Sequence, residues 1–176
     1  MRAPDGAVRI VHNCGVAYSE VGDVIIPARP RLDVVLETIE QASAKVIVFV
    51  PLTGALNAVA AAVREHYSVS VVHGGVSKRA RDDIFSDFQS PHGARVLVAQ
   101  PATMAHGLSL TAADTIIWYA PTSSEITQQA NARIVRPGQK RNTLIVRLMG
   151  SDVERRMYER LKNRDSTQGV LLDMFK

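Results

Sequence analysis

The amino-acid sequence predicts an α/β domain in which helices flank a mainly parallel sheet. Short apolar runs alternate with helical patterns over most of the chain, which is the order of elements found in such folds. The apolar runs have almost no polar face, as expected for strands that helices cover on both sides. The predicted strands are 46–50, 69–72, 95–99, 115–119 and 143–148, and the predicted helices are 32–42, 54–66, 77–88, 124–134 and 152–163.

Residues 1–30 follow a different pattern. Two short apolar stretches, 16–18 and 24–26, are separated by polar residues and have the spacing of a small hairpin. Pro27 and Pro30 restrict this region to a sheet edge or an extended lead-in, because proline cannot donate a ladder hydrogen bond. The sequence therefore predicts a lead-in or small hairpin over 1–30, followed by the α/β domain over 31–176.

Hydroxyl residues stand where three of the helices should begin. Thr53, Ser77 and Ser151 each open or precede a helical pattern, and such side chains accept hydrogen bonds from the free amides of a first turn. Gly74 and Gly75 follow the second strand of the parallel sheet, where glycine permits a tight turn or a close approach of the backbone. These side chains predict where the helices start.

The composition excludes several classes of protein. The chain has 176 residues, with 21 basic and 17 acidic side chains, a formal net charge of +4, and 46% apolar residues. This length suits one domain with a substantial core. No apolar run approaches the roughly 20 residues of a membrane span. The lone Cys14 has no partner for an internal disulfide, so we expect a cytoplasmic protein without a membrane partner.

Basic residues are concentrated in the second half of the chain. Residues 91–176 contain twelve basic and seven acidic side chains, and the excess is greatest over 133–164. A polyanion such as nucleic acid is a partner that this charge fits. A solvated helix face that carries arginines would have the same pattern, so charge alone leaves both interpretations open.

The segment 129–139 has the most specific chemistry. On a helix, Gln129, Arg133 and Arg136 would project from one face, because they are spaced i, i+4 and i+7. Two guanidinium groups near a helix end that is followed by Pro137 and Gly138 are suited to reach a phosphate of a bound partner. Exposed arginines in ordinary sequence contexts form surface ion pairs instead.

The pattern Gln-Ala-x-x-Arg-x-x-Arg-x-Gly-Gln over 129–139 resembles the sixth motif of superfamily 2 helicases, specifically of the Swi/Snf-type ATPases. Upstream, 107–119 resembles the fifth motif of that family and the strand after it, and the two motifs occur in the right order. The segment 46–88 is similar to the region of the fourth motif. Ser109 stands where many relatives have asparagine, and 101–110 resembles phage-encoded members more than chromatin remodellers.

The resemblance implies a three-layer RecA-like domain that forms the C-terminal lobe of an ATP-dependent DNA helicase or translocase. In such motors two lobes enclose ATP and Mg²⁺; the first holds the phosphates and the second supplies arginines. The sequence contains no Gly-x-x-x-x-Gly-Lys-Ser/Thr pattern. We therefore expect an N-terminal lobe to hold most of the ATP and Mg²⁺, and we expect this chain alone to lack ATPase activity. The implied origin is a phage or a prophage, and the implied location is the bacterial or infected-host cytoplasm.

The resemblance also assigns roles on the nucleotide side. Arg133 and Arg136 are the implied catalytic arginines, with Arg136 preferred as the finger that reaches the γ-phosphate. Gln129 would couple the sixth motif to the phosphate or the opposite lobe. Gly107 would allow the backbone to approach the cleft between the lobes.

Four further residues are implied to contact DNA. They are Lys78, Arg79, Thr103 and His106, which the resemblance places near the nucleic-acid backbone. Contacts of this kind to phosphate are independent of base sequence and weaken with salt.

Two other functions fit the residues alone. The first is a complete Rossmann-like protein that binds a nucleotide or small molecule by itself. The second is a non-catalytic nucleic-acid-binding module that uses the basic part of the chain. No group of Cys and His residues has the spacing of a zinc site, so the sequence predicts no metal site.

Overall fold

The computed structural model shows helices on both faces of a five-stranded parallel sheet. It describes residues 8–10, 16–19, 22–25, 29–105, 109–136, 139 and 141–161. The strands are β1 (Val8–Ile10), β2 (Val16–Ser19), β3 (Gly22–Ile25), β4 (Lys45–Phe49), β5 (Val69–Val72), β6 (Val96–Ala99), β7 (Ala113–Trp118) and β8 (Leu144–Arg147). The helices are α1 (Arg29–Gln41), α2 (Thr53–Arg64), α3 (Lys78–Gln89) and α4 (Ser124–Asn131), with a 3₁₀ helix over Pro101–Ala105 and helical residues at 152–161.

The parallel sheet has the strand order β5-β6-β4-β7-β8, and each neighbouring pair is parallel. All five strands predicted from the apolar runs are present, and the predicted fold class is confirmed. Apart from the half-buried Lys45, every residue of the three central strands is buried, because both faces of these strands are covered. β5 and β8 form the edges, and most of β8 is exposed.

Alternate side chains of the central strands divide the core into two layers. In β4, Val46 and Val48 pack with the apolar faces of α1 and α2. Ile47 and Phe49 point to the opposite face and pack with residues of α3 and α4. This alternation follows from the two-residue period of a strand, and it produces the predicted three-layer arrangement.

Two of the three predicted helix caps are present. The hydroxyl of Ser77 accepts a hydrogen bond from the Ala80 amide at 3.3 Å, and that of Ser151 accepts from the Glu154 amide at 3.2 Å. The prediction that Thr53 caps α2 was wrong. Leu52 occupies the cap position without a side-chain hydrogen bond, and the Thr53 hydroxyl accepts a hydrogen bond from the side chain of Gln100.

The helix predicted over 124–134 is three residues too long. α4 ends at Asn131, and the amides of Arg133 and Ile134 then bond to carbonyls three residues back, at 3.2 and 3.0 Å. Such i→i−3 bonds tighten the backbone beyond α-helical geometry. Pro137 also disfavours a helical conformation at Arg136, the residue before it. Arg133 and Arg136 therefore lie beyond the end of α4, on residues 132–136, here called the arginine turn, and not on the helix that carries Gln129.

A separate antiparallel sheet has the order β1-β2-β3. β2 and β3 pair from Val16 with Ile25 to Ser19 with Gly22, which is the pairing of a hairpin. β1 adds a third strand that the sequence pattern did not predict. α1 begins at Arg29, inside the segment 1–30 that was expected to be an extended lead-in or hairpin.

Lys45 fastens the end of α3 to the sheet. Its ammonium group donates hydrogen bonds to the carbonyls of Phe88, Ser90 and Gly93, at 2.8, 2.6 and 2.9 Å. Three carbonyl acceptors satisfy all three donors of an ammonium group. A cation near the end of a helix also interacts favourably with the helix dipole. Burial lowers the pKa of Lys45, and nearby Asp87 partly opposes this effect.

Gly93, beside this contact, should not tolerate a side chain. A Cβ at this position would lie 1.8 Å from the carbonyl oxygen of Asp87, which is backbone and cannot swing away. We expect Gly93→Ala to lower the free energy of unfolding by about 2 kcal/mol, the usual cost of an overpacked site, as measured by urea denaturation. Gly74→Ala is the control, because its Cβ would be 3.5 Å from its nearest neighbour. Equal effects of the two substitutions would contradict the steric argument.

Candidate functional site

The arginine turn packs against the segment that joins β6 to β7. The amide of Leu110 donates a hydrogen bond to the carbonyl of Arg133 at 2.8 Å. The half-buried Arg133 side chain donates from Nε to the carbonyl of Met104 at 3.3 Å. Ile134, between the two arginines, is buried in the core layer formed by α3 and α4. The backbone that carries both arginines is thus anchored in the domain.

Arg136 lies at the exposed end of this turn. Its Nη1 atom donates a hydrogen bond to the hydroxyl of Ser109 at 2.8 Å. This acceptor is neutral, so the contact orients the guanidinium group without neutralising its charge. An incoming anion would therefore meet a positioned cation.

Gln129 is exposed in the last turn of α4. Its side-chain amide donates to Glu125 on the same helix at 3.1 Å. The carboxamide thus faces solvent beside an acidic residue, separate from the contacts of the arginine turn. Its predicted role on the nucleotide side stays a prediction.

Gln139 is a site residue that the sequence interpretation missed. Its Nε2 atom donates to the carbonyls of Thr111 and Ala113, at 3.2 and 2.8 Å. These acceptors belong to residues 109–113, here called the 109–113 loop, which begins at Ser109 and ends at Ala113, the first residue of β7. The position of Gln139 at the end of the sixth-motif pattern was the available signal.

Gln100 was also missed, and it joins three segments near the carboxyl ends of the strands. Its side-chain oxygen accepts from the Gly74 amide at 2.8 Å, and its Nε2 donates to the Thr53 hydroxyl at 2.9 Å. Its own amide donates to the carbonyl of Val72 at 2.9 Å. A polar residue directly after a buried apolar strand is the sequence signal for such a contact.

Lys78 and Arg79 are exposed and are the first two residues of α3. The first turn of α3 contains no acidic residue. Cations at a helix amino terminus face the positive end of the helix dipole, which destabilises them by a few tenths of a kcal/mol or more. A bound phosphate would remove this penalty.

Thr103 is buried on the 3₁₀ helix, and its hydroxyl donates to the carbonyl of Gln100 at 2.6 Å. The donor of this side chain is thus already engaged within the protein. His106 and Gly107, which were predicted to contact DNA and to line the cleft, lie outside the described residues, as do Pro137 and Gly138.

Within the described part of the chain, no three His, Cys, Asp or Glu side chains are grouped as a metal site would require. The same residues include no helix that is long and apolar enough to cross a membrane.

Comparison with known proteins identifies the domain. Residues 30–138 match the family model described as the helicase conserved C-terminal domain. The chain belongs to this family. The match covers the parallel sheet up to β7, the segment between β6 and β7, α4 and the arginine turn.

Curated relatives of this helicase C-terminal domain include chromatin-remodeling ATPases named INO80. The Homo sapiens protein is 28% identical over 149 residues, which is 80% of this chain and 9% of that protein. The Saccharomyces cerevisiae protein (strain S288c) is 26% identical over 146 residues, 81% of this chain and 10% of that protein. The chain thus spans about a tenth of the length of these curated relatives.

Two solved structures show the same fold. The C-terminal part of the Fun30 ATPase domain superposes with a TM-score of 0.69 at 18% identity, covering 73% of this chain and 44% of that one. The C-terminal domain of the DEAD-box protein Dbp5 gives a TM-score of 0.66 at 17% identity, covering 77% and 78%. These similarities confirm the RecA-like fold that the resemblance implied.

Proposed function

We propose that this helicase C-terminal domain is the second lobe of a Swi/Snf-type motor that uses ATP to translocate on or unwind DNA. The similarity to INO80 proteins and the order of the fifth and sixth motifs support this assignment. The observation that carries it is the exposed Arg136, held by a neutral hydroxyl on a turn anchored in the core. The resemblance of 101–110 to phage-encoded members supports a phage or prophage origin as a further part of the proposal.

Arg133 and Arg136 would stabilise the charge that develops on the phosphoryl group during transfer. A guanidinium group presents a planar set of donors that matches phosphate oxygens. A phosphate group is negatively charged and can accept from a guanidinium group in a bidentate geometry, which the single neutral hydroxyl of Ser109 does not offer. Gln129, exposed nearby on α4, would face the opposite lobe, and Gly107 would lie at the cleft.

The ATP phosphates and Mg²⁺ would be held mainly by an N-terminal RecA-like lobe. This chain has no phosphate-loop pattern. That observation fits a lobe that supplies arginines to a nucleotide bound elsewhere. ATP with Mg²⁺ supplies the transferred phosphoryl group, and this chain supplies positioned cations.

An experiment with separated lobes tests this function. We expect the purified chain to hydrolyse no ATP above background, and we expect turnover to appear when the N-terminal lobe and duplex DNA are added. A coupled assay for ADP release measures both conditions. Robust turnover or tight ATP binding by the chain alone would contradict the proposal and would favour a complete nucleotide-binding protein.

The DNA-facing part of the proposal depends mainly on Lys78 and Arg79. Both are exposed at the start of α3, where the helix dipole disfavours cations unless an anion is near. Thr103 is a weaker candidate, because its hydroxyl already donates to the Gln100 carbonyl and phosphate contacts require donors. His106 remains in the proposal as a residue of the fifth motif.

Removing these two cations should change the salt dependence of DNA binding. We expect the chain to bind duplex DNA weakly. The double variant Lys78→Ala, Arg79→Ala should reduce the slope of log K against log salt concentration by about two, because each lost phosphate contact reduces the slope by about one. Fluorescence anisotropy at several salt concentrations measures the slope.

Arg64→Ala is a single-cation control for this experiment. It removes one exposed cation from the last turn of α2, which lies at the opposite end of the sheet because α2 runs antiparallel to the strands. Binding that does not respond to salt would contradict backbone contacts. Strong binding combined with a two-lobe mixture that hydrolyses no ATP would instead favour the non-catalytic nucleic-acid-binding module.

A further inference from the structure

The position of Arg136 is not fixed by helix geometry, because α4 ends at Asn131. Other contacts must therefore set where its guanidinium group points. Before the turn, the indole of Trp118 donates to the Asn131 side chain at 3.2 Å, and this contact fixes the last residue of the helix. After the turn, the next described residue is Gln139.

Gln139 contacts Arg136 and the 109–113 loop at once. Its amide donates to the carbonyl of Arg136 at 3.0 Å. Its side-chain nitrogen donates to the carbonyls of Thr111 and Ala113. Because Arg136 in turn donates to Ser109 in the same loop, these bonds form a closed ring.

The hydrogen-bonding capacity of the Gln139 side chain is largely used. A carboxamide has two N–H donors and one carbonyl acceptor group. Two donations go to the loop, and the oxygen accepts from the amide of Arg141 at 3.2 Å. A side chain held at both ends has one orientation, so it can fix the distance between the loop and the arginine turn.

We propose that Gln139 is a positioning residue that sets the alignment of Arg136 toward the phosphate. The inference rests on the proposed function of Arg136 but assigns a separate role to the carboxamide. Removing it should loosen the turn relative to the 109–113 loop without removing any group that touches the nucleotide. Misalignment of a group that acts on the reacting atoms lowers the rate of the chemical step much more than it weakens substrate binding.

A second glutamine supplies a matched control. Gln89, at the end of α3, accepts a hydrogen bond from the amide of Ala112 at 2.9 Å. It holds the same 109–113 loop, but this bond runs to α3 and not to the arginine turn. Gln89→Ala therefore removes an anchor of the loop and leaves the ring through Arg136 and Gln139 intact.

The test uses two measurements on Gln139→Ala and Gln89→Ala. In the full chain, Gln139→Ala should speed up hydrogen–deuterium exchange about tenfold in peptides that span the arginine turn. The net free energy of one hydrogen bond, about 1 kcal/mol, changes an opening equilibrium by about that factor. For Gln89→Ala, faster exchange should be confined to peptides around Ala112. In the motor assembled with its N-terminal lobe, Gln139→Ala should lower kcat by about 10- to 100-fold with little change in KM for ATP.

Gln89→Ala should leave kcat near the parent value. Equal losses of kcat in both variants, or an unchanged kcat in Gln139→Ala, would overturn the positioning role. Arg136→Ala in the same assay separates the positioning role of Gln139 from the proposed catalytic role of Arg136. If Arg136→Ala abolishes turnover and Gln139→Ala does not, only the positioning inference fails. If neither affects turnover, the proposed function of the arginine turn fails as well.

Discussion

Replacing Arg136 by alanine should lower kcat for ATP hydrolysis by about 10³- to 10⁵-fold in the motor assembled with its N-terminal lobe, the range for arginine fingers in phosphoryl transfer. The physical reason is that charge spreads over the phosphoryl oxygens in the transition state. A guanidinium already aimed by Ser109 and by the anchored turn stabilises that charge with little reorganisation. Steady-state ATPase assays with saturating DNA give the change in kcat.

Folding controls accompany this prediction. Arg136 is exposed and its side-chain contact is to one hydroxyl, so Arg136→Ala should leave the free energy of unfolding within about 0.5 kcal/mol of the parent. Arg64→Ala removes the same charge from α2 and should keep full turnover. Arg136→Lys should recover only part of the rate, because an ammonium lacks the planar set of donors. Full activity in Arg136→Ala would show that the finger has been assigned to the wrong residue.

Replacing Arg31 by methionine should cost about 2 to 3 kcal/mol of unfolding free energy. Arg31 donates through both terminal nitrogens to the Glu154 carboxylate, at 2.9 and 2.5 Å, with side chains only 18% and 13% exposed. It also donates to the carbonyl of Tyr119 at 2.8 Å. Removing one member of a buried pair leaves an uncompensated charge, which costs about 3 to 5 kcal/mol when burial is complete. The remaining exposure here reduces that cost.

Urea denaturation measures this effect, and the chain contains a matched exposed pair. Arg155 and Asp152 are 3.7 Å apart with side chains 66% and 81% exposed, so Arg155→Met should change stability by less than about 1 kcal/mol. Replacing both Arg31 and Glu154 by methionine should restore much of the loss, because no isolated charge remains. A single-variant effect as small as that of Arg155→Met would mean that the Arg31 pair does not hold the 152–161 helix to the domain.

The local sequence predicted most of the fold correctly. Five apolar runs marked the five parallel strands, because a strand covered on both faces must be apolar throughout. Ser77 and Ser151 marked helix starts, because their hydroxyls act on amides only two or three residues away. The spacing of the sixth motif singled out Arg133 and Arg136, and their catalytic role stays a prediction. Each of these signals acts over a few neighbouring residues.

Predictions failed where a distant partner decided the outcome. Thr53 was expected to cap its own helix. Instead, the Thr53 hydroxyl accepts a hydrogen bond from the side chain of Gln100, 47 residues away. The end of α4 was placed too late, because the i→i−3 bonds and the burial of Ile134 that close the turn are not visible in the helical pattern. Sequence periodicity contains no information about such pairs.

The sequence by itself determined the order of strands and helices, the charge of the chain, and the spacing of its two motif arginines. Only the tertiary structure decided that Arg136 meets Ser109, that Gln139 closes the ring around the turn, and that Arg31 pairs with Glu154, 123 residues away. The physical reason is range. Propensities and caps act between near neighbours, whereas a hydrogen bond requires two groups within about 3 Å, and only the packed chain brings distant groups that close.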